Sequence, residues 1–162
     1  MQAKVNPSIN QLERLMEKTI KLAEKARSKG EVPVGAMIIS NEGEVLAKAY
    51  NQKEEKKDAC AHAEILAIRK ASKRIKEWRL LGATLVVTLE PCPMCLAAMV
   101  QARIKKLIFG AYDKKGGALS LNYNFHQDKR LNHKFEVIGG IKSVECSKRL
   151  SDFFKKKRVE KV

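Results

Sequence analysis

The chain has 162 residues, of which 44% are hydrophobic, so it can bury one sizeable core but is too short for two ordinary domains. Residues 1–162 are therefore expected to form a single domain. No run of about eighteen apolar residues is present to span a bilayer, and residues 1–10 lack the apolar stretch of a signal peptide, which favours a cytoplasmic protein without membrane segments. The formal net charge of +15 favours a polyanionic partner, although scattered lysines can also serve solubility alone.

The first half of the chain predicts a helix, a β-hairpin and a second helix. Apolar residues recur at helical spacing over residues 10–29, and Gly30 follows as a stop signal. Two short apolar runs flanking a turn at residues 41–43 predict the hairpin. The predicted elements are a helix at 10–29, strands at 34–40 and 44–50, a charged loop from Asn51, and a helix at 62–76.

The second half alternates strands and helices. Residues 83–89 are almost all apolar or β-branched, which is typical of a strand covered on both faces. Further strands are predicted at 106–111 and 135–141, helices at 94–103 and 143–158, and a long polar loop, which could contain a short helix, at 112–133. This order predicts a three-layer α/β/α fold with a five-stranded mixed sheet.

Four residues at the starts of two predicted helices have the composition of a catalytic metal site. His62 and Glu64 open one helix, and Cys92 and Cys95 lie about one turn apart where the next begins. A helix N-terminus favours the thiolate form that binds metal. Three ligands leave the fourth position of a tetrahedral zinc ion to water, and Glu64 is a spare carboxylate beside it. The sequence thus predicts catalytic Zn²⁺ bound by His62, Cys92 and Cys95.

Each of these features has a structural interpretation when taken alone. A histidine at a helix start is often a cap, and an isolated Cys-x-x-Cys pair can be redox-active or structural. The non-enzymatic alternative is a structural zinc module that binds RNA, which requires a fourth protein ligand. The cysteine and histidine candidates for that ligand are Cys60, Cys146, His126 and His133. Cys60 is otherwise expected to be a small packed side chain near the site, and Cys146 a helix or loop residue.

Basic residues cluster along the chain. They are concentrated at residues 69–76, 103–106, 114–115 and 155–158, while aromatic residues make up only 6% of the chain. With so few aromatic side chains, the protein has little surface on which a long row of unpaired bases could stack. This pattern therefore favours a folded RNA over a long single strand as the partner.

Seven segments together resemble one family over nearly the whole chain. They are residues 31–36, 50–51, 61–65, 88–95, 109–113, 131–133 and 150–154, and they include His-Ala-Glu at 62–64 and Pro-Cys-Pro-Met-Cys at 91–95. In these segments the chain is similar to the bacterial tRNA-specific adenosine deaminases of the cytidine and deoxycytidylate deaminase superfamily. The resemblance implies a cytidine-deaminase-like fold, one Zn²⁺ per subunit and a homodimer. It also implies hydrolytic conversion of the wobble adenosine of a tRNA anticodon to inosine, with release of ammonia.

The resemblance also assigns roles to individual residues. Glu64 would be the proton shuttle, and Asn51 would hydrogen-bond the flipped base. The residues expected to line the base pocket are Val32, Ala63 and Leu89. Asp113 and Asn132 are expected to hold the neighbouring nucleotides. The residues expected to contact the anticodon stem are Lys155, Lys157 and Arg158. Residues 96–100 form an apolar helical segment near the site that could be partly buried between two subunits.

The chain departs from the family pattern between residues 116 and 130, which concerns the outer RNA contacts and not the metal site. The main rival function is deamination of a free base, guanine or cytosine, on the same fold. That function does not require a charge of +15, and it calls for a pocket closed over the substrate.

Overall fold

One mixed sheet of five strands, with helices on both faces, forms the centre of the molecule. The computed structural model describes residues 6–162. Residues 1–5, part of the segment considered for a signal peptide, lie outside the described residues. Between residues 6 and 162, every helix is too short or too polar to cross a membrane.

The elements follow the predicted order. The helices are α1 (Ile9–Ser28), α2 (Lys53–Lys56), α3 (Ala63–Ile75), α4 (Pro93–Gln101) and α5 (Ser143–Glu160), and a 3-10 turn covers Phe125–Gln127. The strands are β1 (Gly35–Ile39), β2 (Val45–Tyr50), β3 (Thr84–Leu89), β4 (Lys106–Ala111) and β5 (Glu136–Ile138).

Two local predictions were wrong. The charged segment after Asn51 contains the short helix α2, which ends at Lys57 in the left-handed conformation, with φ of 51°. β5 is much shorter than predicted, because the chain turns at Gly139 and at Gly140, where φ is +84°. The Gly139-Gly140 dipeptide is itself a turn signal, which the prediction of an unbroken strand over 135–141 did not take into account.

The sheet order is β2-β1-β3-β4-β5. β1 is antiparallel to β2 and β3, whereas β3, β4 and β5 are parallel to one another. Leu89 at the end of β3 pairs with Ala111 at the end of β4. The segments that follow these two strands therefore meet at one edge of the sheet, where ligands bind in open α/β folds.

The two faces of the sheet carry separate hydrophobic clusters. On one face Met16 and Ile20 of α1 pack with Met37 and Ile108, and on the other face α3 and α4 pack with Ile38 and other strand residues. Met37 and Ile38 point to opposite faces because side chains alternate along a strand. The predicted three-layer α/β/α fold is confirmed.

Candidate active site

Two helix starts face each other at the carboxyl edge of the sheet. His62 is the N-cap of α3 and Cys92 the N-cap of α4, and both have extended backbone. Neither side chain caps its own helix, so the imidazole and the thiol are free to bind elsewhere. The Nδ1 atom of His62 lies 3.6 Å from Sγ of Cys92 and 3.5 Å from Sγ of Cys95.

Mutual contacts shift the pKa values of these three side chains away from their ordinary values. Hydrogen bonding from the Cys95 thiol, together with the contact to His62, lowers the pKa of Cys92 to about 4. Hydrogen bonding with Cys92 and burial raise the pKa of Cys95, and the contact with Cys92 also raises that of His62. A divalent cation in this position would neutralise two thiolates and leave the imidazole neutral.

The donor set fits zinc. One ligand atom from each of His62, Cys92 and Cys95 lies within 4.8 Å of the others. Imidazole and two thiolates are zinc ligands, and three of them leave a fourth tetrahedral position for water. No other group of three potential ligands occurs in the part of the chain that the structure describes.

The candidates for a fourth protein ligand lie elsewhere. Cys60 is exposed, which corrects the expectation that it is packed, and Cys146 is buried in α5. His133 Nε2 lies 2.6 Å from the carbonyl oxygen of Ile104. Because neither these residues nor His126 joins the cluster, the structure does not support a closed four-ligand zinc site.

Glu64 lies in the first turn of α3, two residues after His62, and is 4% exposed. Burial raises the pKa of its carboxyl group to about 7, while the positive charge of His62 and a hydrogen bond from Cys95 act in the opposite direction. A carboxyl group with a pKa near neutrality can both accept and donate a proton during turnover.

The metal-ligand cluster opens into a cavity of about 280 Å³, called here the inner cavity. Ligand pockets start at about 300 Å³, so this volume suits a single small ring system. The lining includes His62, Cys92, Glu64 and five residues that were assigned to substrate: Val32, Asn51, Ala63, Leu89 and Asp113.

Asn51, which lines the inner cavity, has a buried acceptor without a protein partner. Its Nδ2 group donates to the carbonyl oxygen of Val32 at 3.4 Å, and its main-chain N–H donates to that of Val34 at 3.0 Å. These bonds fix the amide, which is 5% exposed, yet the buried Oδ1 atom has no protein partner. A buried polar atom without a partner is costly, so Oδ1 is placed to accept a hydrogen bond from a ligand.

A second depression of about 680 Å³, called here the outer cleft, shares Val32, Leu89 and Asp113 with the inner cavity. Its remaining lining residues are Tyr112, Lys115, Leu150, Phe154, Lys157, Arg158 and Lys161. Lys157 and Arg158 therefore lie beside the site, as expected of RNA contacts. Lys155 and Asn132 are exposed but line neither depression.

Four lining residues of the inner cavity were not singled out from the sequence: Val34, Lys53, Glu90 and Gly116. Glu90 directly precedes the Pro-Cys motif, which was the available signal. Lys53 starts α2, and Glu31 holds α2 in place by accepting the Glu55 N–H at 2.8 Å. Since α2 itself was not predicted, the role of Lys53 was not visible in the sequence.

The sequence comparisons agree with this geometry. Residues 9–111 match the family model described as the cytidine and deoxycytidylate deaminase zinc-binding region. The chain belongs to this deaminase family. The match covers more than half of the deaminase and includes His62, Glu64, Cys92 and Cys95, which confirms the expectation of a zinc-dependent enzyme.

Relatives of the deaminase match most of its length. The tRNA-specific adenosine deaminase of Bacillus subtilis is 48% identical over 153 residues, which are 94% of each chain. Its namesake in Haemophilus influenzae is 44% identical over 92% of the deaminase and 86% of the relative. A solved structure from a study of A-to-I editing by tRNA:A34 deaminases is 40% identical, with a TM-score of 0.80, and covers 85% of this chain and 99% of the other.

More distant structures share the architecture. A guanine deaminase from Nitrosomonas europaea superposes with a TM-score of 0.74 over 94% of the deaminase and 95% of its own chain. Its identity is only 19%, so this likeness shows the fold alone.

Proposed function

We propose that the protein hydrolytically deaminates the wobble adenosine of a tRNA anticodon to inosine and releases ammonia. The observation that carries the proposal is the junction of two spaces: a base-sized cavity over His62, Cys92 and Cys95 opens into a cleft lined by basic and aromatic residues. The relatives named tRNA-specific adenosine deaminase support the same substrate.

Asn51 and Glu64 have complementary tasks in this proposal. The free Oδ1 of Asn51 accepts a hydrogen bond from a base inserted into the inner cavity and so orients its ring. Glu64 accepts a proton from the attacking water, passes it to a ring nitrogen, and later protonates the departing amino group. Burial keeps most of the Glu64 side chain out of bulk water and thereby raises the pKa of its carboxyl group to about 7, which suits a group that takes up and releases a proton.

His62, Cys92 and Cys95 would hold the metal ion. A zinc ion bound there would lower the pKa of a water molecule towards neutrality and so supply the nucleophile. Val32, Ala63 and Leu89 line the inner cavity together with Glu64 and would contact a base bound there.

The outer cleft favours an RNA loop over a free base. Lys115, Lys157 and Arg158 are placed for phosphates, while Tyr112 and Phe154 offer exposed rings for unpaired bases. A nucleotide in a loop can enter the inner cavity without the loss of a base pair. A free guanine or cytosine would have no use for this cleft, which leaves the inner cavity open on one side.

The test is conversion of a transcript. Purified, zinc-loaded protein is incubated with an arginine tRNA transcript carrying a wobble adenosine, and the product is sequenced for inosine, which is read as guanosine. We expect conversion at that position alone. An absence of conversion by metal-replete protein on any anticodon-loop adenosine would refute the proposal, and release of ammonia from free guanine or cytosine would replace it with base deamination.

The cations of the outer cleft should contribute to RNA binding through phosphate contacts. We expect the double variant Lys157→Gln/Arg158→Gln to bind the tRNA more weakly. We also expect the slope of log Kd against log salt to fall in magnitude by about 1 to 2, because each lost phosphate contact removes a little under one unit. Fluorescence anisotropy over a salt series measures both quantities. Lys18→Gln, at an exposed lysine on α1 away from the cleft, is the matched control, and an equal slope change in that variant would contradict the assignment.

We also propose that the protein is a homodimer acting in the cytoplasm, where a tRNA substrate would be met. The three large side chains of residues 96–100 are buried in the chain's own core, so that segment cannot supply the main contact surface. A short stretch with exposed apolar side chains, Ile75, Trp78 and Leu81, supports a contact there instead. Sedimentation equilibrium of the purified protein distinguishes a dimer from an 18.2 kDa monomer.

A further inference from the structure

Glu90 is a buried acidic residue that the proposed chemistry does not use. It is 2% exposed and lies between the end of β3 and the metal ligand Cys92. A buried carboxylate is costly unless several donors surround it. The identity of those donors therefore indicates what the residue does.

The side-chain partners of Glu90 all come from one segment, residues 113–120, called here the wall loop. Ser120 donates its main-chain N–H to Oε2 at 3.0 Å and its hydroxyl to Oε1 at 2.6 Å. The N–H of Asp113 approaches Oε1 at 3.4 Å. One carboxylate therefore ties together the two ends of the wall loop.

The main chain next to Glu90 adds a further attachment. The N–H of Ala118 donates to the carbonyl oxygen of Pro91 at 2.8 Å. Within the loop, the Asp113 carboxylate accepts the N–H groups of Lys115 at 3.1 Å and Gly116 at 3.0 Å. The wall loop is thus held together by its own hydrogen bonds and is hydrogen-bonded to the segment that carries the first cysteine ligand.

Gly117 shows how closely the loop approaches Glu90. A Cβ atom at residue 117 would lie 1.8 Å from Oε2 of Glu90 and 2.6 Å from the carbonyl oxygen of Asp113. Real Cβ contacts are never that short, so only glycine permits this packing.

The wall loop forms part of the inner cavity, since Asp113 and Gly116 line it together with the metal-ligating residues His62 and Cys92. We propose that Glu90 is a positioning residue, which holds the wall loop at the distance from the metal ligands that fits the substrate base. This inference rests on the proposed function and adds to it a determinant of substrate fit. Glu90 itself takes no part in proton transfer.

A graded series of variants tests the inference. Ser120→Ala removes one donor, Glu90→Gln keeps one acceptor but turns an NH₂ group towards a main-chain N–H, and Glu90→Ala removes every bond. We expect KM for an anticodon stem-loop to rise in that order, by about tenfold or more for Glu90→Ala, which loses several bonds to a charged group. We expect zinc content to be unchanged and kcat to change less than KM.

Limited proteolysis with trypsin distinguishes a loosened wall loop from a general loss of stability. Lys114 and Lys115 are exposed on the wall loop, and cleavage there should become faster in Glu90→Ala and Ser120→Ala well below their melting temperatures. Glu136→Gln removes an exposed carboxylate that pairs with Lys106 at 3.2 Å, and this control should keep wild-type KM and cleavage rates.

The outcomes separate this inference from the proposed function. If the wild-type protein makes inosine and Glu90→Ala keeps KM within twofold of it, the positioning role is wrong and the function stands. If Glu90→Ala fails to fold or loses zinc, the variants Ser120→Ala and Gly117→Ala test the positioning role instead. A raised KM with normal zinc content in these variants supports the role, and an unchanged KM overturns it. If the wild-type protein makes no inosine, the proposed function fails, and with it the basis of this inference.

Discussion

Replacement of Glu64 by alanine is expected to abolish turnover while leaving the zinc content unchanged. Glu64 is buried beside the ligand cluster but is not one of the ligands, so its removal should cost the proton transfers and not the metal. General acid and base catalysis contributes roughly 10² to 10⁴-fold to a rate, and one carboxyl group here serves in both capacities. We expect kcat on the tRNA transcript to fall by at least about 10³-fold.

Glu64→Gln is the sharper form of this experiment. It keeps the shape and most hydrogen bonds of the side chain but cannot exchange a proton, so it should be as inactive as alanine. Zinc measured by atomic emission and Kd for the transcript should both match the wild type. Turnover by Glu64→Gln within tenfold of the wild-type rate would show that another group moves the proton.

Replacement of Cys92 by alanine is expected to remove zinc, activity and part of the stability together. Two ligands cannot hold zinc as three do, and the free energy of metal binding is also free energy of folding. We expect metal-free variant protein, no measurable inosine and a lower Tm than that of the zinc-loaded wild type. A chelator should produce the same state in the wild type, and added zinc should reverse it there but not in the variant.

Cys60→Ala is the matched control for that variant. Cys60 is only two residues from His62 in the sequence but is exposed and outside the ligand cluster. We expect its zinc content, Tm and activity to equal those of the wild type. Loss of zinc on replacing Cys60 would mean that the metal recruits a fourth protein ligand, which would favour the structural alternative over catalysis.

The segment 116–130, which was expected to bear on the outer RNA contacts, begins beside the candidate active site. The N-terminal part of this segment belongs to the wall loop, where Gly117 and Ser120 contact Glu90. The sequence there is consequently constrained by packing against a site residue. The 3-10 turn at Phe125–Gln127 lies outside both the inner cavity and the outer cleft.

The sequence by itself determined the order of the elements other than α2, the fold class and the chemical character of the site. Hydrophobic periodicity reports local structure because burial imposes a repeat of 3.6 residues on a helix and of two on a strand. The metal site was readable for a similar reason: its ligands lie at two helix starts, so that Cys92 and Cys95 have a fixed spacing and Glu64 follows His62 by two residues.

Only the tertiary structure decided which distant segments meet. Parallel pairing of β3 with β4 brings Asp113 to the inner cavity. The packing of α5 places Lys157 and Arg158 in the outer cleft, whereas Lys155 lines neither the inner cavity nor the outer cleft. The attachment of the wall loop to Glu90 joins residues about thirty positions apart through hydrogen bonds that leave no periodic trace. Contacts of this kind depend on the relative placement of loops, for which a linear pattern of residue types carries no signal.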